Sequence, residues 1–276
     1  MISRLVFKKP FGWSKDKIVF KKGVKIDVEP GINVLVGDQG SGKSTLIELV
    51  RVWLEPDKGM NDRMAKRLKR SDVRKLLNVE GEGLDEVRLL ALDFEKDAAR
   101  TSNAFDWGGA IDTVGFMLYG NRASHGEANK MAFNMLLQGV TKEYKEKGSI
   151  KPTLILLDEP DAALSIASIV MLHMTLRALV RLGCQIIVSA HNPFLLGCFE
   201  TVFSLGCKKW ISYAEYLTTQ VMLAGGEIPG DVFLSKYCTT TKALEKFLGR
   251  EKEEGEKKAT TKKKVVKRKK KKKKKV

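Results

Sequence analysis

No stretch of this chain approaches the roughly 18 consecutive apolar residues that a membrane-crossing helix needs, so no spanning segment is expected. Residues 1–7 lack the charged start and long apolar centre of a secretory signal and read instead as a first β-strand. Cysteine is scarce. Cys184, Cys198, Cys207 and Cys238 stand alone, with no CxxC spacing. This excludes a disulfide framework or a thiolate metal site, and predicts buried thiols in a reducing compartment. The expected location is therefore cytoplasmic, or nuclear if the host cell has a nucleus. No internal repeat is present.

Negative charge is missing altogether from residues 257–276, which hold fourteen Lys and Arg. Removing those from the formal net charge of +17 leaves only +3 for residues 1–256. The basicity is mostly a tail. Its like charges and near-absence of apolar side chains predict disorder. Three readings stay open for it: non-specific phosphate binding through counterion release, a nuclear address, or a solvated tail without a partner. A second cluster lies within the body of the chain. Between Lys58 and Lys75 there are eight Lys or Arg against Asp62 and Asp72. Arg63, Lys66, Arg67, Arg70 and Arg74 recur at helical spacing, opposite Met60, Met64 and Leu68. The stripe suits either a solvated amphipathic helix or a nucleic-acid backbone.

Residues 37–44, Gly-Asp-Gln-Gly-Ser-Gly-Lys-Ser, spell GxxxxGKS. The apolar run before them, 32–36, reads as a buried strand, and the run after them, 45–50, as a helix. Strand, glycine-rich loop and helix N-terminus together aim backbone N–H groups and a helix dipole at a phosphate chain. Gly37, Gly40 and Gly42 allow the backbone to approach the anion. Asp38, Gln39, Ser41 and Thr45 complete the cradle. Lys43 would reach the β- and γ-phosphates, and Ser44 would ligate Mg²⁺.

A second apolar run, 153–157, ends in Asp158-Glu159. Parallel strands covered on both faces have this continuous apolar character, and function sits at their carboxyl ends. Asp158 would hold Mg²⁺, and Glu159 would orient and deprotonate an attacking water.

With Ala163-Leu164-Ser165 and the segment Ser189-Ala190-His191-Asn192-Pro193-Phe194-Leu195, these motifs resemble the ABC-class ATPases. The detailed spelling is most similar to small stand-alone ATPases of bacteria and phages, soluble relatives of the RecF and structural-maintenance-of-chromosomes enzymes. The resemblance covers roughly residues 24–206. It implies an α/β P-loop fold of the ABC type: a mostly parallel central sheet flanked by helices, a small helical subdomain and an N-terminal antiparallel β element. The expected domain is 1–256, with helical insertions at about 55–80 and 100–150, followed by the tail. Only 81 positions separate Lys43 from Ser124. That leaves space for a small subdomain and none for a chromosome-maintenance coiled coil.

The resemblance implies Mg²⁺-dependent ATP binding and hydrolysis. It also assigns His191 to the γ-phosphate, and Ser124 and Gly126 to a degenerate signature motif that would contact ATP held by the other subunit of a head-to-tail homodimer. Ser124 and Glu127 also form a capping box, so these residues suit a plain helix start as well. The usual D-loop aspartate is Ser165 here. No glutamine marks the Q-loop, where Asp93 or Glu95 falls. Phe11 and Trp13 precede the P-loop at a distance suited to adenine, though an aromatic at such a position is more often core. The favoured target is nucleic acid, through Arg63, Lys66, Arg67, Arg70 and the tail, or a protein partner bound to it. The ATP-binding subunit of a transporter and a slowly hydrolysing nucleotide switch are the rival readings.

Overall fold

The computed structural model describes residues 1–12, 18–56, 62–66, 68–93, 125–162 and 164–223. The chain divides into two compact units, Met1–Tyr213 and Ala214–Val276. The first begins with strand β1 (Ile2–Phe7), the short β2 (Phe11–Gly12) and β3 (Ile18–Phe20), and β4 (Lys25–Asp27). The P-loop strand β5 (Ile32–Val36) leads into helix α1 (Lys43–Leu54). Two short helices, α2 (Asp62–Ala65) and α3 (Arg70–Leu76), precede β6 (Leu77–Gly81) and β7 (Arg88–Asp93). Helix α4 (His125–Lys147) is followed by β8 (Thr153–Asp158), α5 (Ile166–Arg181) and β9 (Cys184–Ser189). The hairpin β10 (Thr201–Ser204) and β11 (Lys209–Ser212) comes after the short α6 (Pro193–Leu196). In the second unit the described residues are helical, within α7 (Tyr213–Leu223).

The central sheet runs β11-β10-β5-β9-β8-β7. Its pairs are parallel except that between β10 and β11, where a tight turn permits antiparallel pairing. All six residues of β8 and all six of β9 are buried, as expected of strands with packing on both faces. Leu46, Leu49, Val50 and Val52 of α1 are buried in the core, each contributing about 1.5–3 kcal/mol. They anchor the helix whose first turn carries Lys43. A separate antiparallel sheet, β4-β1-β6, forms the N-terminal β element. Buried Gln185 on β9 joins the two sheets: its Nε2 donates to the Ile2 carbonyl (2.7 Å) and its Oε1 accepts from the Ile2 N–H (3.0 Å).

Three expectations change. Residues 77–81, within the span expected to be helical, form β6, because Leu77 and Val79 alternate inward beside β1. The basic run 62–76 is two helices rather than one face. Lys69 takes an extended conformation ahead of α3, and Leu68 packs against the core. Lys66 and Arg70 are exposed, whereas Arg74 lies over the Trp53 ring (5.1 Å) and donates to the Trp53 carbonyl (3.3 Å). Arg67 lies outside the described residues, as does the tail. Of the cysteines, Cys184 is buried but Cys198 and Cys207 are exposed, because they fall after α6 and in the β10–β11 turn rather than inside elements. Cys238 lies outside the described residues. Burial raises the Cys184 thiol to about 11, so it stays protonated.

Candidate active site

The loop 37–42 leaves β5 at its carboxyl end and enters α1 through Gly42, in the left-handed conformation (φ 103°). A Cβ there would lie 2.2 Å from Val19 Cγ1, and one on Gly37 would lie 2.7 Å from Ser41 Oγ. Any side chain would therefore fill the cradle. Asp38, Gln39 and Gly40 form its exposed rim, while Lys43 and Thr45 are buried and Ser44 is half-buried. Lys43 Nζ donates to the Gly37 (2.8 Å) and Asp38 (3.2 Å) carbonyls. Ser41 Oγ is buried without a hydrogen-bond partner. A loop folded around its own lysine, with an unsatisfied hydroxyl inside, fits a phosphate chain.

The carboxylates converge on this loop from β8. Burial lowers the Lys43 pKa, and the charges of Glu159, Asp158, Asp38 and Asp161 oppose that shift, in that order. Asp158 is buried and accepts a 2.5 Å hydrogen bond from Ser189 Oγ. The same hydroxyl accepts from the Glu159 N–H at 2.9 Å. Ser189 thus fixes both acids from the end of the neighbouring strand. Glu159 has φ 51°, a left-handed backbone that costs a non-glycine residue about 1–3 kcal/mol. The turn aims its carboxylate at His191, with Oε1 2.9 Å from Nε2. In the Nε2–H tautomer the imidazole donates and orients the carboxylate.

Asp161, which the motif reading passed over, ties these parts together. It is buried, and its Oδ2 accepts from the backbone N–H groups of His191 (2.8 Å) and Asn192 (2.5 Å). Its Oδ1 is buried without a partner. Asn192 in turn caps α6, its Oδ1 accepting from the Phe194 N–H at 2.9 Å. An acid three positions after Asp158 was visible as the Asp in Asp-Glu-Pro-Asp, but its partners come from a loop thirty residues later. Ser165 serves as N-cap of α5, accepting from the Ser168 N–H at 3.3 Å.

Lys43, Asp158, Glu159 and His191 are thus gathered at one edge of the sheet. Asp93, expected near the Q-loop, pairs alongside Asp158 at the end of β7. Gly126 lies in the first turn of α4. Ser124, Glu95 and Trp13 lie outside the described residues.

A family model described as an AAA domain matches residues 17–169. The chain belongs to this AAA-domain family. Its central sheet is mostly parallel and flanked by helices, with the P-loop between β5 and α1. No curated protein matches it. Among solved structures, this AAA-domain chain is similar to cbiO1 from Clostridium perfringens, described as part of the ABC transporter complex cbiONQ. That match has 16% identity and a TM-score of 0.45, covering 81% of this chain and 94% of that one. It is also similar to the ATP-binding cassette MJ0796, described in a dimeric post-hydrolysis state bound to ADP and Pi. There the identity is 14% and the TM-score 0.44, covering 77% of this chain and 99% of that one. At this level of likeness the neighbours bear on neither the target nor the partner of the AAA-domain chain.

Proposed function

We propose that the chain binds Mg-ATP on the loop 37–45 and hydrolyses it to ADP and phosphate. The observation that carries this reading is the loop folded around Lys43 at the same sheet edge as Asp158 and Glu159, both of which Ser189 holds. Lys43 and the loop N–H groups hold the phosphate chain. Ser44 and Asp158 are the residues that would hold Mg²⁺, a pairing suited to an ion that normally keeps substrate phosphates and waters as its other ligands. When bound, the ion neutralises charge on the phosphates. Glu159 takes a proton from a water that attacks the γ-phosphorus, and the bond to the β–γ bridging oxygen breaks, releasing ADP. His191 Nε2–H holds the Glu159 carboxylate in position, or donates to the γ-phosphate instead when it lets go of that carboxylate. Lys43→Ala should abolish phosphate release and ATP binding together, as measured by colorimetric phosphate assay and calorimetry. A folded variant with unchanged affinity would remove this reading.

In the same proposal the working unit is a homodimer closed by ATP, with Ser124 and Gly126 of each subunit facing the nucleotide of the other. The proposed target is nucleic acid or a partner bound to it. Support comes from the exposed Lys66 and Arg70 beside Arg63 and Arg67 in sequence, and from the fourteen positive charges of residues 257–276. Deleting 257–276 should sharply lower both DNA affinity and its salt dependence. The salt-sensitive binding that is left should vanish when Arg63, Lys66, Arg67 and Arg70 become Glu. A tail-less protein that binds neither DNA nor RNA at low salt would overturn the nucleic-acid target.

A further inference from the structure

Lys208 ends the four-residue turn between β10 and β11, at φ 56°. Glycine would adopt this left-handed conformation with less strain. The turn lies against the start of the P-loop: the Leu205 N–H donates to the Val36 carbonyl (2.9 Å), and Leu205 Cβ is 3.5 Å from where a Gly37 Cβ would sit. From there the Lys208 amine reaches over the ring of Phe20, 4.6 Å from its centroid. The fully buried Phe20 stacks on Phe7 at 4.2 Å. The edge of the Phe20 ring comes within 3.4 Å of the Gly42 Cβ position, at the entry to α1. The same ring thus touches both this amine and the position next to Lys43.

Among the described residues no carboxylate pairs with Lys208, and burial alone pushes its pKa down to about 8. A half-buried cation usually has an anion beside it. Among the described residues this one has only an aromatic ring, and it occupies a position where lysine costs backbone strain. An outlier of this kind beside a phosphate cradle raises the question of a ligand contact.

We propose that Lys208 is a second nucleotide-binding cation, its amine leaving the Phe20 ring to pair with the phosphate chain held on the loop 37–45. The proposal rests on the ATP-binding reading above. Its four-carbon stem lets the amine swing between ring and phosphate by rotamer changes, which the fixed fork of Arg would do less well.

The test measures ATP and ADP affinity by calorimetry for the full chain, together with melting temperature, in wild type, Lys43→Ala, Lys208→Met and Lys208→Gly. Lys208→Met keeps the stem and removes the charge, so it should weaken ATP and ADP about ten-fold and reduce the salt dependence of binding. Lys208→Gly should weaken binding equally while melting no lower than Lys208→Met, since it relieves the backbone. If Lys43→Ala loses ATP while both Lys208 variants bind it like wild type, the Lys208 assignment is wrong and the P-loop reading stands. If wild type binds no ATP, both readings fall. Lys208 variants that melt much lower yet bind ATP normally would show a purely structural lysine.

Discussion

Replacing Asp161 by Ala would remove the acceptor of two backbone N–H groups, those of His191 and Asn192, and no other described group accepts from either. A hydrogen bond to a charged acceptor is worth about 1.5–3 kcal/mol. Both bonds are only partly buried and the His191 side chain is 41% exposed, so water can replace part of the loss. The expected destabilisation is therefore about 2–4 kcal/mol rather than the full sum. For a domain of this size that corresponds to a fall in melting temperature of roughly 5–15 °C. The loop would also loosen its hold on the contact between His191 and Glu159, so ATP turnover should fall at least about ten-fold. Affinity for ATP should change much less, because Lys43 and its loop keep their own hydrogen bonds. Asp161→Asn retains one acceptor oxygen and should recover part of both effects. Thermal melts, urea titrations and steady-state kinetics on the three proteins check this. A melting temperature within about 1 °C of wild type for Asp161→Ala would refute the reasoning, since two orphaned N–H groups cannot cost so little.

Arg88 on β7 ion-pairs with Glu143 of α4, whose side chain is only 12% exposed. Burial raises the Glu143 pKa, but the Arg88 hydrogen bond and charge, with Lys147, outweigh it and leave the carboxyl below its ordinary 4.5. Arg88→Ala should therefore cost about 1–3 kcal/mol near neutral pH, less than a fully buried pair because Arg88 is partly exposed. A depressed carboxyl stabilises the fold above its unfolded value and stops doing so as pH falls through its folded one. Urea titrations should thus show wild type and variant converging below pH 4.5, and a gap that widens with acidification would contradict the pairing. For assembly, Glu159→Gln should sediment as a dimer in Mg-ATP and as a monomer without it, and adding Ser124→Arg should prevent the dimer. A protein that stays monomeric at high concentration with ATP would argue against a site shared between subunits.

The parts of this fold that were legible in the sequence are those whose signal is local. Residues 34–36 and 154–157 are unbroken apolar runs of the kind a covered parallel strand carries, and the glycines between β5 and α1 mark a backbone that a Cβ would block. The placing of Asp158 at the end of β8, with Glu159 after it, and of Lys43 at the start of α1 was read from the same stretches. What stayed hidden depends on partners far along the chain. Asp161 looks like one more loop acid until the His191 loop folds over it. Ser189 looks like the end of a strand until its hydroxyl is found between Asp158 and Glu159. The basic run 62–76 has helical periodicity throughout, yet Leu68 is drawn toward the core and Lys69 breaks the helix. Cysteine composition says nothing about which thiols fall in turns, so the exposure of Cys198 and Cys207 was not legible either.

In the proposed reaction Glu159 acts on water while Lys43 holds the nucleotide, and a single-turnover experiment on Glu159→Gln separates the two. The variant is loaded with Mg-ATP, and bound nucleotide and released phosphate are followed in the same sample. Gln keeps the shape of the side chain and can still meet His191, but it cannot accept the proton. ATP should stay bound with near wild-type affinity while its hydrolysis slows by about 10²-fold or more. Near-normal hydrolysis of the bound ATP would contradict the account and move the role of base to another group at this edge of the sheet.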